Sequence, residues 1–456
     1  MRIDDISLLT GVVSAVRVVN KESFSAVEGF SIDSRTIKKG QVFVAVKGVH
    51  VNGHDFIAQA VNAGAGAVVA EYLPSEVSVP VFFVADSLKA MGDIAAYIRR
   101  VKKPFTFAIT GSVGKTTTKE MLYFLLRNRF TVLKNEKTEN NIYGVAKTLF
   151  SLQDEKVLIM ELGTNAPGEI PLLANIVYPD VGVITFIKPV HLEKLKSLKG
   201  IYEEKSSLLR VNPDMKAVLN RDDTYLKKVD SCKEIYWYGM KGTKPLCAKM
   251  IESNMGTSVF LINGRHRLTL HTPMPNFIYN ALAAMQAAML MGVVIEDVIG
   301  RMNYFEDFPD SRMQEEKIGS LTVVNDSYNA NPYAVEQALA AIKQFPLKKI
   351  VVLGDMFELG RKSAWYHEML AKDVLKNNID YCLLLGEGMK YLKDKLDSMH
   401  YGQAYHFASH DEIVDFIAGL TSYNTQEAKK YLLFLKGSRR MKLEKILELM
   451  RKNCTL

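Results

Sequence analysis

Short apolar runs that end in glycine or a polar residue recur along this chain, with helix-compatible segments between them. In the first hundred residues, QVFVAVKG (41–48) reads as a strand, and HDFIAQAVNAGAGAVVAE (54–71) as a helix, a glycine turn and a second strand. Further on, strands are predicted at 105–110, 157–161, 181–186, 216–220 and 257–262, and helices at 115–128 and 276–292. Residues 292–313 read as a helix followed by an interdomain connection. The pattern then restarts. LTVVND, KKIVVLGD, YCLLLGE and YLLFLKG are short apolar strands, and YAVEQALAAIKQF and MKLEKILELMRK are helix-compatible. Strands that are apolar throughout, rather than alternating, belong to sheets covered on both faces. The predicted fold class is therefore α/β in three domains. A small N-terminal α/β domain spans 1–103, a central domain with a mostly parallel sheet spans 104–313, and a Rossmann-like domain without a G-x-G-x-x-G spans 314–456. RRVKKP (99–104) has the composition of a linker.

Composition narrows the function. The 456 residues are 48% hydrophobic and 24% charged, as expected of a globular chain with ample core. The net charge of +8 favours anionic ligands. Basic residues are nevertheless scattered, with no dense Lys/Arg tract among aromatics, so nucleic acid is not an expected partner. Cys232, Cys247, Cys382 and Cys454 show no metal-type spacing and read as reduced thiols of a cytoplasmic protein. Asp4 and Asp5 stand where a signal peptide needs an apolar core, and no run long enough for a membrane span occurs.

The chemistry begins at TFAITGSVGKTTTKEMLYFLL (106–126), where an apolar strand enters a glycine-bracketed turn and then a helix. Backbone N–H groups of Gly111, Ser112, Val113, Gly114 and Lys115 can wrap phosphate oxygens, aided by the helix N-terminus. Lys115 would bridge the terminal phosphates, Thr116 would hold Mg²⁺, and Thr117 follows in the same turn. Against the usual G-x-x-x-x-G-K-S/T form the loop is short, because Ile109 occupies the first glycine position. Glu161 ends the strand of KVLIMELGTNAPGEI (156–170), a position suited to a Mg²⁺ partner or to a turn-capping carboxylate. His191 follows the strand end VGVITF and can reach the same crevice. Lys205, flanked by Glu203 and Glu204, reads from composition as a solvated helix lysine.

TGSVGKTTTKE, IMELGTNAPGEI, PVHLE with Lys205 beyond it, NDSYNANP (325–332), VVLGDMFELG (351–360) and LKGSRRMKLE (435–444) occur in the order found in Mur ligases. SIDSRTIKKGQVFVAVKGVHVNGHDF (31–56) is similar to that family's UDP-sugar domain. The resemblance spans the chain, and SYNANP with LGDMFELG points to the branch that adds D-alanyl-D-alanine. It implies that ATP phosphorylates the terminal carboxylate of a UDP-N-acetylmuramoyl-tripeptide, and that the amine of D-alanyl-D-alanine attacks the acyl phosphate. The implied cofactors are ATP and Mg²⁺ at two sites. Lys115 and its loop would hold phosphates, Thr116 and Glu161 one Mg²⁺, and His191 the second. Lys205 matches a lysine carbamylated by CO₂ into a metal ligand. Asn280 and Arg312 match nucleotide contacts. Asp326, Tyr328, Asn329 and Asn331 match a loop closing over ATP and the amine, and Lys436 a phosphate contact. Ser31, Asp33, Ser34 and Arg35 would face UDP, and Asn140 and Asn141 the muramoyl substrate. The implied enzyme is a cytoplasmic monomer that closes its domains on ATP.

Several positions depart from the family pattern. In NEKTENNIYG (135–144), Asn135, Lys137 and Thr138 replace Thr, Gly and Asn. In TFIKPVHLE, Phe186 and Lys188 replace Asn and Gly, and Asn276-Phe277 replaces a His-Asn pair. Ser311 stands before Arg312 where Gly is common. Lys188 reads as a solvated loop lysine. These changes leave two other readings open: a ligase for another amino donor such as diaminopimelate or lysine, and a non-catalytic nucleotide-binding relative.

Overall fold

A computed structural model describes residues 1–48, 51–242, 246–254, 256–272, 274–308, 313–421 and 428–454. Three sheets follow one another along the chain. The first orders its five strands Arg17–Val19, Val81–Phe83, Ala67–Ala70, Val42–Val44 and Phe30–Ser31, parallel except for the first pair. The third has six: Gln314–Ile318, Leu321–Asn325, Tyr431–Lys436, Lys348–Gly354, Tyr381–Leu385 and Ala404–Phe407, again antiparallel only at the first pair.

The central sheet has nine strands. Phe105–Thr110 lies in the parallel part, with Val157–Glu161 on one side and Val181–Ile184 on the other. Val132–Lys134 forms one edge beyond Val157–Glu161. The order beyond Val181–Ile184 is Lys216–Asn220, Glu234–Gly239, Leu246–Ser253, Ser258–Ile262 and His266–Leu270. The last two strands run antiparallel to their neighbours, so 257–262 is one arm of a hairpin rather than another βα unit. Because the chain passes from Phe105–Thr110 to Val132–Lys134 on one side, and later crosses from Val157–Glu161 to Val181–Ile184 on the other, a crevice opens at the carboxyl ends of three strands. There the chain continues as Gly111, Leu162 and Thr185.

Uniformly apolar strands are buried on both faces, as their sequence requires. Ala108, Leu158, Met160 and Ile184 join one core, which also contains Val42, Val69 and Phe82 of the first sheet. Phe107, Ile109, Ile159 and Val183 point the other way, against Leu122, Leu125, Ile278 and Leu282 of the helices Lys115–Leu126 and Phe277–Met289. The N-terminal and central sheets thus share a continuous apolar layer.

RRVKKP is not a free linker. Residues through Lys102 belong to the helix Ser87–Lys102, which ends in left-handed backbone at Lys103. Arg99 is buried there, donating from Nε to the Val177 carbonyl (2.9 Å) and from its terminal nitrogen to Asp180 (3.1 Å). The same Asp180 carboxylate accepts from the Thr106 amide at 2.8 Å, so this cation bolts the N-terminal helix to the start of the phosphate-loop strand. Among the described residues, no helix is long and apolar enough to cross a membrane.

Candidate active site

The turn after Phe105–Thr110 is shaped by close approach. Gly111 has φ +149°, and a Cβ there would lie 1.9 Å from Thr185 Oγ1. Gly114 has φ +84°, and a Cβ would lie 2.2 Å from Asn280 Oδ1. Both positions therefore require glycine for space as well as for backbone conformation. The loop is pinned from the neighbouring strand. The Ser112 amide donates to the Phe186 carbonyl at 2.8 Å, and Thr185 Oγ1 donates to the Val113 carbonyl at 2.5 Å. Ser112 Oγ also exchanges two 2.9 Å hydrogen bonds with the Lys188 backbone. Lys115, first residue of the helix Lys115–Leu126, turns its ammonium back to the Gly111 carbonyl at 2.9 Å.

Glu161 sits in a buried amide frame. The Asn135 side chain accepts from the Glu161 amide (2.8 Å) and donates to its carbonyl (3.0 Å) and to that of Glu139 (2.8 Å). Asn140 Nδ2 donates to Glu161 Oε1 at 2.8 Å. Lys119, fully buried, donates to the carbonyls of Asn135 (2.6 Å) and Lys137 (2.8 Å), tying the phosphate-loop helix to this segment. The replacement of Thr by Asn135 thus has a structural use here. Asn141 caps the helix Ile142–Ser151 and accepts from the Gly144 amide.

Lys205 overturns its composition-based reading, because it is only 1% exposed. Burial drives its amine far below the ordinary lysine range; the Lys115 ammonium pushes the same way, while Glu204 and Glu161 oppose. Its neighbour Glu204 is also buried, accepting from the Gly168 (2.8 Å) and Ile170 (2.7 Å) amides. Lys188 is not simply solvated either. Its ammonium lies 4.8 Å from the Tyr333 ring centre and 5.5 Å from that of Phe186. Phe186 in turn packs edge-on to Tyr279 at 5.1 Å and against Tyr333 at 5.6 Å.

The C-terminal domain supplies the opposite wall. Lys436, at the end of the strand Tyr431–Lys436, is buried in an ion pair with Asp326 and donates to the Asn329 carbonyl at 3.2 Å. Tyr328 donates across the interface to Thr138 Oγ1 at 2.8 Å. Asn331 caps the helix Pro332–Ile342. Asn276 pairs with Gln337, and His191 Nδ1 with the Glu358 carboxylate, which that bond holds below its ordinary pKa.

One cavity of about 710 Å³ collects most of the expected residues. It is lined by Ser112 through Thr117, Asn140, Asn141, Glu161, His191 and Asn280 from the central domain. Asp326, Tyr328, Asn329, Asn331 and Lys436 line it from the C-terminal domain. Gly111 and Lys205 are not among the lining residues. Arg312 and Ser311 fall outside the described residues. Ser31, Asp33, Ser34 and Arg35 do not line this cavity but form their own turn. There Arg35 binds both Asp33 oxygens (2.9 and 2.7 Å), holding that carboxyl at about 2, and Ser34 donates to Gln59.

The site fits a divalent cation. Glu161 Oε2 is buried with no hydrogen-bond partner among the described residues, an arrangement that an ion relieves. No group of three or more His, Cys, Asp or Glu side chains in metal-binding arrangement occurs among the described residues. The expected donors instead mix a hydroxyl, a carboxylate, an imidazole and a buried lysine.

The Mur ligase middle domain matches residues 109–288, the Mur ligase glutamate ligase domain 311–439, and the Mur ligase family catalytic domain 26–99. The UDP-N-acetylmuramoyl-tripeptide–D-alanyl-D-alanine ligase of Haemophilus influenzae is 30% identical over 434 residues, covering 92% of this chain and 93% of that protein. The chain belongs to the Mur ligase family. The ligase of the same name from Bacillus subtilis is 29% identical over 441 residues, covering 93% of each chain. Among solved structures, MurF from Acinetobacter baumannii aligns with a TM-score of 0.89 at 26% identity, covering 98% of this chain and 99% of that one. The MurF ligase from Thermotoga maritima in complex with ADP aligns at 0.84 and 27% identity, covering 94% and 98%. This Mur ligase is an ATP-dependent, ADP-forming amide ligase with the three-domain α/β fold of its relatives.

Sequence reasoning passes over several residues of this site, three of them with contacts described above. Lys119 reads as one more helix lysine, and Tyr333 as a helix aromatic. Glu358, within VVLGDMFELG, carries no local signal that it reaches His191.

Proposed function

We propose that this chain joins D-alanyl-D-alanine to a UDP-N-acetylmuramoyl-tripeptide at the expense of ATP, in peptidoglycan precursor synthesis. The observation that carries the reading is the single cavity walled on one side by the phosphate loop and on the other by Asp326–Asn331. A nucleotide held by the loop then has its γ-phosphoryl group facing residues of the other domain. The names of the relatives supply the substrates.

A substrate carboxylate oxygen attacks the γ-phosphorus, ADP leaves, and an acyl phosphate forms. The dipeptide amine attacks the acyl carbon, the tetrahedral intermediate loses a proton, and the C–O bond to phosphate breaks to leave an amide. Most of the required work is positioning and charge neutralisation. Lys115 and the backbone of Gly111–Gly114 bind the phosphates. Asn280 and Lys436 contact the nucleotide side, Asn140 orients Glu161, and Asn329 and Asn331 face the amine. Thr116 and Glu161 would hold one Mg²⁺, and His191 a second together with Lys205. Bound there, the cations would neutralise the γ-phosphoryl group. Lys205 suits this role because a neutral amine combines with CO₂, releasing a proton and becoming a carboxylate-like carbamate. Ser31, Asp33, Ser34 and Arg35 serve the UDP end, apart from the cavity. The same reading makes the protein a cytoplasmic monomer.

A donor panel tests this function. ADP and phosphate should be released only when the UDP-muramoyl peptide and D-alanyl-D-alanine are both present. Equal turnover with diaminopimelate or lysine would replace the proposed donor, and tight ADP binding without any turnover would point to a non-catalytic relative.

A further inference from the structure

The turn that carries His191 and the loop that carries Glu358 come from different domains, yet they are built to meet. His191 has φ 52° and Glu358 φ 64°, left-handed backbone that non-glycine residues rarely adopt. Gly360, at φ +62°, brings its loop so close that a Cβ there would lie 3.3 Å from Glu193 Cα. The Glu193 amide donates to the Glu358 carbonyl at 3.1 Å, fixing the backbones together. On that platform the Glu358 carboxylate meets His191 Nδ1. An ionised carboxylate only accepts, so the shared proton lies on Nδ1, and the neutral ring of His191 then carries its lone pair on Nε2. His191 also lines the main cavity.

We infer that Glu358 is a positioning residue that sets the tautomer and aim of His191, and thereby makes the His191 side of the metal site depend on docking of the C-terminal domain. The inference rests on the reading above that His191 serves a Mg²⁺. An imidazole that donates its second nitrogen to a carboxylate is oriented and made a better ligand. Here the carboxylate arrives only when the second domain does. An open enzyme would bind nucleotide at the loop without completing the second metal position, which limits phosphoryl transfer before the amine-side wall is in place.

The test uses full-length protein with ADP and Mn²⁺, followed by electron paramagnetic resonance, together with ¹⁵N spectra of the histidine ring. His191→Ala should remove one Mn²⁺. Glu358→Ala should weaken that same site about 10- to 100-fold and leave the other unchanged, and the isosteric Glu358→Gln should lose less. The His191 ring of the wild type should carry its proton on Nδ1, and that preference should fade in Glu358→Ala. If His191→Ala removes a site but Glu358→Ala and Glu358→Gln bind like wild type, or if the proton lies on Nε2, the inference falls alone. If His191→Ala removes no Mn²⁺, the metal reading of His191 fails and this inference fails with it.

Discussion

The two walls of the cavity are held together differently. On the central-domain side, Glu161 and the phosphate loop are fixed by buried bonds within one sheet and its neighbouring segments. Asn135 alone makes three of them. On the other side, side-chain contacts reach across the interface from Tyr328 to Thr138, from Gln337 to Asn276, from Glu358 to His191 and from Tyr333 to Lys188. The first wall behaves as architecture, and the second as a joint. Bonds buried within one sheet open only with the fold, whereas a few contacts between domains can break while both remain folded. A ligase gains from the division. Phosphate binding needs a cradle that does not reorganise, and commitment to chemistry needs a wall that arrives late.

The largest expected effect comes from a buried residue of the central domain. Lys205→Ala should cut phosphate release by about 10²- to 10³-fold, and added acetate or another short carboxylate should restore part of it. Full activity of the wild type in CO₂-free buffer, with no rescue of the variant, would return Lys205 to a structural role. Next, Asn135→Ala should destabilise the central domain by about 2–3 kcal/mol, since it leaves buried backbone groups of Glu161 and Glu139 unpaired. Denaturant titration measures this, and a loss near zero would mean the wall is not rigid.

Tyr328→Phe removes one hydrogen bond of the joint and should cost about 1 kcal/mol of closure, roughly fivefold, with global stability unchanged. Small-angle scattering with nucleotide reports the closed fraction, and a drop in unfolding temperature instead would blur the distinction between walls. The smallest effect belongs to neither wall. Asp33 is held at about 2, below its ordinary value of 3.8, by Arg35. Its stabilising contribution is therefore fully present above 3.8 and lost as pH falls towards 2. The pair is exposed and screened, so the stability gap between wild type and Asp33→Asn should be small at neutral pH and vanish in acid.

The rigid wall was far more legible in the sequence than the joint. Gly111, Gly114, Lys115 and Thr116 are neighbours in the chain, and Glu161 ends a strand whose apolar run is plain. Their chemistry follows from local order. Lys205 reads as solvated because Glu203 and Glu204 make its segment polar, and only tertiary cover shows that Glu204 and Lys205 turn inward. The burial of Arg99 is hidden for a related reason. RRVKKP has a linker's composition, but Asp180, 81 residues away, gives the cation a buried partner. The joint is harder still. His191 and Glu358 lie 167 residues apart in separate domains. No periodicity within either segment encodes their meeting.

The central claim is that the phosphate held by the loop passes to a carboxylate before the amine reacts. The most direct measurement supplies a UDP-muramoyl tripeptide whose terminal carboxylate carries ¹⁸O at both oxygens, with ATP and D-alanyl-D-alanine, and weighs the released phosphate. One ¹⁸O atom should appear in each phosphate, delivered when the acyl phosphate breaks. Phosphate without label, at the same yield of amide, would contradict the account.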